Sequence, residues 1–160
     1  MDDLAFAIRL RSEEKLQESN ALLKKLAAAS PDDPMVNYQC AWSFDVLGQE
    51  SEAIAYYERA IALGLIGEDL KGAYLGLGST YRSIGAYTKS KAILQSGIAA
   101  FPEDNALKTF YAMAIYHLGE HARSIEILLN VIAETSSAPE IIEYRKAIIQ
   151  YAEDINRVWK

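Results

Sequence analysis

Residues of matched size recur along this chain at a spacing of 34, and that period constrains the fold more than any other feature. Ala7, Ala41, Gly78 and Ala112 are separated by 34, 37 and 34 residues. Ser19, Ala53, Ser90 and Ser124 keep the same intervals, as do Leu23, Tyr57, Leu94 and Leu128, while Gly48, Gly85 and Gly119 follow at 37 and 34. Four series share one register and one three-residue insertion, placed at the Gly64-Leu65-Ile66-Gly67 loop, so the chain is an internal repeat.

The punctuation predicts what each repeat is made of. Pro31-Asp-Asp-Pro34, Gly48, Gly64 to Gly67, Gly85, Phe101-Pro102, Gly119 and Ser136 to Pro139 bound segments of helical length. Within them apolar residues stand three and four apart, as in Ile54, Tyr57, Ile61 and in Ile125, Leu128, Leu129, Ile132, and no segment alternates like a strand. Asp33 before Pro34 reads as an N-cap acceptor ahead of a proline in the first turn, and Pro139 offers the same start. Nine helices joined by short turns follow. A small residue at Ala41 or Gly78, facing Ala53 or Ser90, lets two helices of one hairpin approach closely, and each hairpin needs its neighbours to cover its apolar face.

Charge and rare residues narrow the chemistry. Sixteen Lys and Arg against 22 Asp and Glu leave a net charge of −6, which supplies no excess of cations to displace phosphate counterions, so nucleic acid is not an expected partner. One cysteine, Cys40, excludes an internal disulfide and reads as buried core. His117 and His121 have metal-like spacing, but Gly119 lies between them at a turn, so they read as surface histidines and no metal site is expected. Gly76-Leu77-Gly78-Ser79 lacks the third glycine of a dinucleotide loop and the Gly-Lys-Ser/Thr of a phosphate loop, which leaves helix packing as its role. No catalytic triad or His-Glu-x-x-His motif is present, and no cofactor is expected. Neither a signal peptide nor a stretch of the ~20 apolar residues needed to span a bilayer is legible, so a cytoplasmic location without membrane contact is expected.

With these residues in place the chain resembles the tetratricopeptide repeat family. The third repeat carries Tyr74-x2-Leu77-Gly78-x2-Tyr81, then Gly85-x-Tyr87, Ser90-x3-Leu94 and Pro102, and the second supplies Phe44, Gly48, Ala53, Tyr57 and Ala60. The first and fourth are degenerate: Asp3 and Lys108 replace the leading aromatic, Glu14 replaces the turn glycine, and Ser136 replaces the closing proline. A period of 34 excludes the longer HEAT and armadillo units, and the ankyrin Thr-Pro-Leu-His signature is absent. The resemblance implies an all-α fold, a right-handed superhelix of four helix hairpins at about residues 2–31, 34–67, 69–102 and 104–138, closed by a capping helix over 139–159 in a single domain. That last helix reads as Glu140 to Trp159 with Ile141, Ile148, Ile155 and Trp159 on one stripe, either capping the fourth hairpin or docking through Trp159.

In the family the first helix of each hairpin lines a concave groove. Here that face carries Leu4, Ile8 and Arg11; Tyr38, Trp42 and Asp45; Leu75, Ser79 and Arg82; Thr109, Met113 and Tyr116. The resemblance implies a peptide-binding groove built from Ile8, Arg11, Tyr38, Trp42, Asp45, Ser79, Arg82, Met113 and Tyr116. Trp42 and Tyr38 are expected to be exposed as anchors, with Arg82 and Arg11 available to an acidic ligand group, whereas Met113 reads equally as groove or core. The Lys and Asn that clamp a terminal carboxylate in some members have no match on this face. A non-enzymatic adaptor that binds a peptide of another protein is the expected function, with self-assembly as a homo-oligomer the alternative and an enzyme of unknown reaction the third.

Overall fold

The computed structural model describes residues 3–158, and among these every regular element is an α-helix. The chain divides into two compact units, Met1–Ala86 and Tyr87–Lys160. The first holds α1 (Asp3–Ser12), α2 (Leu16–Ala29), α3 (Pro34–Asp45), α4 (Glu50–Ala62) and α5 (Gly67–Ser83). Within it each helix packs on the next, and α3 also touches α1 and α5. The second holds α6 (Tyr87–Ala100), α7 (Asn105–Tyr116), α8 (His121–Thr135) and α9 (Pro139–Ala152), packed in sequence order.

Local signals account for the helix ends. Asp33 accepts hydrogen bonds from the amides of Met35 (2.8 Å) and Val36 (3.0 Å) at the start of α3, and Asp104 accepts from Leu107 (2.8 Å) at the start of α7. The turns after α1, α3, α5 and α7 each close through a residue in the left-handed region: Glu14 (φ +62°), Gly48 (φ +68°), Gly85 (φ +79°) and Gly119 (φ +84°). The amide after that residue reaches five residues back, as in Gln49 to the Phe44 carbonyl (3.0 Å) and Lys15 to the Leu10 carbonyl (2.9 Å), which satisfies the end of the preceding helix. Glu14 therefore makes the glycine turn without a glycine.

The repeating small residues sit at the centre of the packing. Ala7, Ala41 and Ala112 are fully buried, Gly78 is buried, and so are Ser19, Ala53, Ser90 and Ser124. In the α1–α2 and α7–α8 hairpins the hydroxyl can be followed to its acceptor. Ser19 Oγ donates to the Ala7 carbonyl at 2.8 Å, and Ser124 Oγ donates to the Ala112 carbonyl at 2.7 Å, so a buried hydroxyl ties the second helix to the backbone of the first. Leu23, Tyr57 and Leu94 are buried, while Leu128 is only half-buried.

Two expectations are corrected. The three-residue insertion lengthens α5 rather than the loop before it: Gly67 opens α5 eleven residues ahead of Gly78, whereas Pro34 and Asn105 open α3 and α7 seven ahead of Ala41 and Ala112. A helix absorbs added residues in hydrogen-bonded turns, so the connection keeps its length. The last helix ends at Ala152 instead of continuing to Trp159; Ile155 is 39% exposed beyond it, and Trp159 lies outside the described residues. In α9 only Ala152 is fully covered, with Ile141 and Ile148 half-buried.

Candidate functional site

In the first unit the face of α3 facing α1 and α5 sets out the chemistry. Tyr38, Trp42 and Asp45 occupy positions i, i+4 and i+7 and so lie on one stripe. The structure separates their fates. Tyr38 is only 7% exposed, contrary to the expectation for an anchor, because α5 presents Gly72 to it; a Cβ there would collide with the Tyr38 hydroxyl. Gly76, one turn along, is seated in the same way against the Tyr57 ring. Glycines on α5 thus draw two tyrosines into the core. Trp42 remains 42% exposed.

Arg11 of α1 is the cation at Trp42. Its guanidinium lies 3.9 Å from the indole centroid, and Nη2 donates to Gln39 Oε1 at 2.6 Å, so a stacked ring and an amide hold one orientation. Partial burial lowers the Arg11 pKa, opposed by the Tyr38 and Tyr57 phenols, and the side chain remains charged. Gln39 is the residue that sequence reading missed; its position beside Arg11 depends on α1 packing against α3, which no local pattern encodes.

Asp45 closes the other end of the stripe. Its carboxylate accepts from Tyr57 Oη at 2.6 Å and from Thr80 Oγ1 at 2.9 Å, and with Glu50, Ser79, Thr80 and Ser83 it lines a cavity of about 180 Å³. Burial, and to a lesser degree the Glu50 charge, push its pKa up despite those two hydrogen bonds. Ile8 and Arg82 are half-buried on α1 and α5, and the Arg82 Nε is shielded from solvent without a hydrogen-bond partner among the described residues. The structure thus brings Arg11, Trp42, Asp45 and Ser79 to the faces of α1, α3 and α5 that pack together.

In the second unit Met113 is half-buried and Tyr116 is 53% exposed on α7. Tyr116 meets the His121 ring edge-on at 4.6 Å, while His117 stacks flat on Tyr87 at 4.3 Å. Both histidines are exposed, as expected, but they belong to an aromatic cluster that the sequence reading did not assemble. Among the described residues no three His, Cys, Asp or Glu side chains come together in a metal-binding arrangement. Cys40 is fully buried, and burial pushes its thiol up to about 11, far from the thiolate a nucleophile needs. No helix among the described residues is long and apolar enough to cross a membrane.

Among solved structures, MamA residues 41 to the end from Desulfovibrio magneticus RS-1 superposes with a TM-score of 0.74 at 18% identity, covering 96% of this chain and 91% of that one. A MamA RS-1 ArsTM double mutant gives 0.74 at 17% identity, with 96% and 87% covered. YrrB, described as a TPR protein with an unusual peptide-binding site, gives 0.65 at 17% identity, with 96% and 84% covered. No curated protein sequence matches. At such identities the likeness shows the fold. The model of the family described as Tetratrico peptide repeat matches residues 34–155, three quarters of the sequence and all of the helices from α3 to α9, and the chain therefore belongs to the tetratricopeptide repeat family.

Proposed function

We propose that this protein is a non-enzymatic interaction module that binds a peptide segment of another protein on the α1–α3–α5 face of its first unit, with Trp42 as the anchor. The observation that carries this reading is the exposed indole: in α3, where Val36, Tyr38, Cys40 and Phe44 are buried, Trp42 alone of the large apolar side chains keeps 42% of its surface in solvent, and a clamped cation supports one of its faces. An aromatic ring fixed by packing offers large contact area at little entropic cost. Membership of a protein-interaction family and the likeness to YrrB, whose title names a peptide-binding site, support the same use. Ile8 lies on α1, and Ser79 and Arg82 on α5, the helices that pack against α3, while Met113 and Tyr116 belong to the second unit.

A photoreactive residue at Ser79, in cells, tests the proposal. It should crosslink to one segment of another protein and lose that product when Trp42 is changed to Ala. Crosslinks that survive Trp42→Ala, or none at all, would remove the anchor. Self-assembly is the second reading, favoured by the apolar side chains α9 leaves in solvent, Ile142 (47%), Tyr144 (60%) and Ile149 (38%). Crosslinks from Ser79 to further copies of this chain alone would favour it.

A further inference from the structure

Resting on the reading of the Trp42 face as a peptide site, we infer that the stacked Arg11 reads the ligand's charge, so that the bound segment carries an acidic residue beside an apolar or aromatic anchor residue. Arg11 spends two N–H groups on Gln39, one on the side-chain oxygen at 2.6 Å and one on the main-chain oxygen at 3.5 Å. Its flat face is taken up by the indole, so the N–H groups left over lie at the guanidinium edge, in the plane that suits a carboxylate. A cationic residue docking on Trp42 would meet this fixed positive charge at close range.

The other end of the stripe restricts where the acid falls. Asp45 stands three residues after Trp42, a rise of about 4.5 Å along α3. It shares its cavity with Glu50, and the pair repel a ligand carboxylate approaching from that side. An acid beside the anchor is therefore better placed at Arg11 than toward Asp45, with the Asp69 charge acting on Tyr38 at the far end of the stripe. Net charge does not make this selection for the protein: at −6 the chain as a whole repels acidic segments, and at physiological salt its distant charges are screened beyond about 8 Å. The local cation is what remains to choose.

Selection from a random ten-residue peptide display library against the full chain tests this. Circular dichroism and melting of each variant establish first that it folds. Peptides enriched on the parent should pair an aromatic or large apolar residue with an acidic residue within about three positions. Arg11→Glu should reverse the charge preference to basic, and Arg11→Gln, which retains a donor for Gln39, should abolish it and weaken a parent-selected peptide about tenfold or more. Trp42→Ala should lose those peptides altogether. An acidic preference that persists in both Arg11 variants overturns the charge assignment while leaving the peptide site standing. No enrichment on the parent, or enrichment indifferent to Trp42→Ala, overturns the peptide site and the assignment with it.

Discussion

Glu14 holds a backbone conformation that costs an L-residue roughly 1–2 kcal/mol, at a turn whose counterparts after α3, α5 and α7 use glycine. Its side chain is exposed, so nothing in the packing requires a glutamate there. Glu14→Gly should therefore raise the stability of the protein by about 1 kcal/mol, read as a higher urea midpoint at unchanged slope. Asp45 presents the opposite situation, a polar group whose contacts are specific and whose burial is unfavourable to its charge. Its pKa in the fold lies above the ordinary value of 3.8, so the folded state binds the proton more tightly than the unfolded chain. Stability from this group is present at low pH and declines as pH rises through the raised pKa. Measured against Asp45→Asn, the parent should be relatively more stable at pH 4 than at pH 7, and a difference independent of pH would show that its burial exacts no electrostatic cost.

At the scale of elements, α5 owes its place in the first unit to two residues with no side chain. Gly72 and Gly76 stand one turn apart against Tyr38 and Tyr57. A methyl group at Gly76 would displace the phenol that donates to Asp45, so Gly76→Ala should destabilise by about 1–3 kcal/mol through overpacking, and Tyr57→Phe in the same background should recover part of it. The hairpins offer a second test. Ser19→Ala and Ser124→Ala each remove a buried hydroxyl bond between paired helices and should cost about 1 kcal/mol apiece in denaturant unfolding. Similar values at both sites would show that the bond is a property of the repeat.

For the whole molecule, the stability and binding roles of the aromatic residues must be separated. Trp42→Ala should reduce partner affinity by ~2 kcal/mol or more while leaving melting close to that of the parent, because much of the indole is already wet. A large loss of stability with affinity unchanged would identify Trp42 as core. Light scattering over a concentration series should return the 17.8 kDa mass throughout if peptide binding is the sole role, and a rising mass would implicate the exposed apolar residues of α9.

The period, most of the helix ends and the small-residue contacts were legible in the sequence, because each depends on residues close together in the chain: Asp33 caps its own helix, Gly48 turns its own hairpin, and Ala7 meets Ser19 twelve residues on; the start of α5 and the end of α9 were not. The candidate site was legible only as a set of names. Tyr38 and Trp42 are one turn apart on the same face of α3, and nothing in their local sequence distinguishes them; Gly72, 34 residues after Tyr38, buries one, and Arg11, 31 residues before Trp42, stacks on the other. Which aromatic ring is core and which is offered to solvent depends on the backbone separation between helices that are distant in sequence. Hydrophobic pattern and spacing specify each helix and its partner within a hairpin, whereas the ångström-scale clearance that lets a ring enter exists only after three helices have packed.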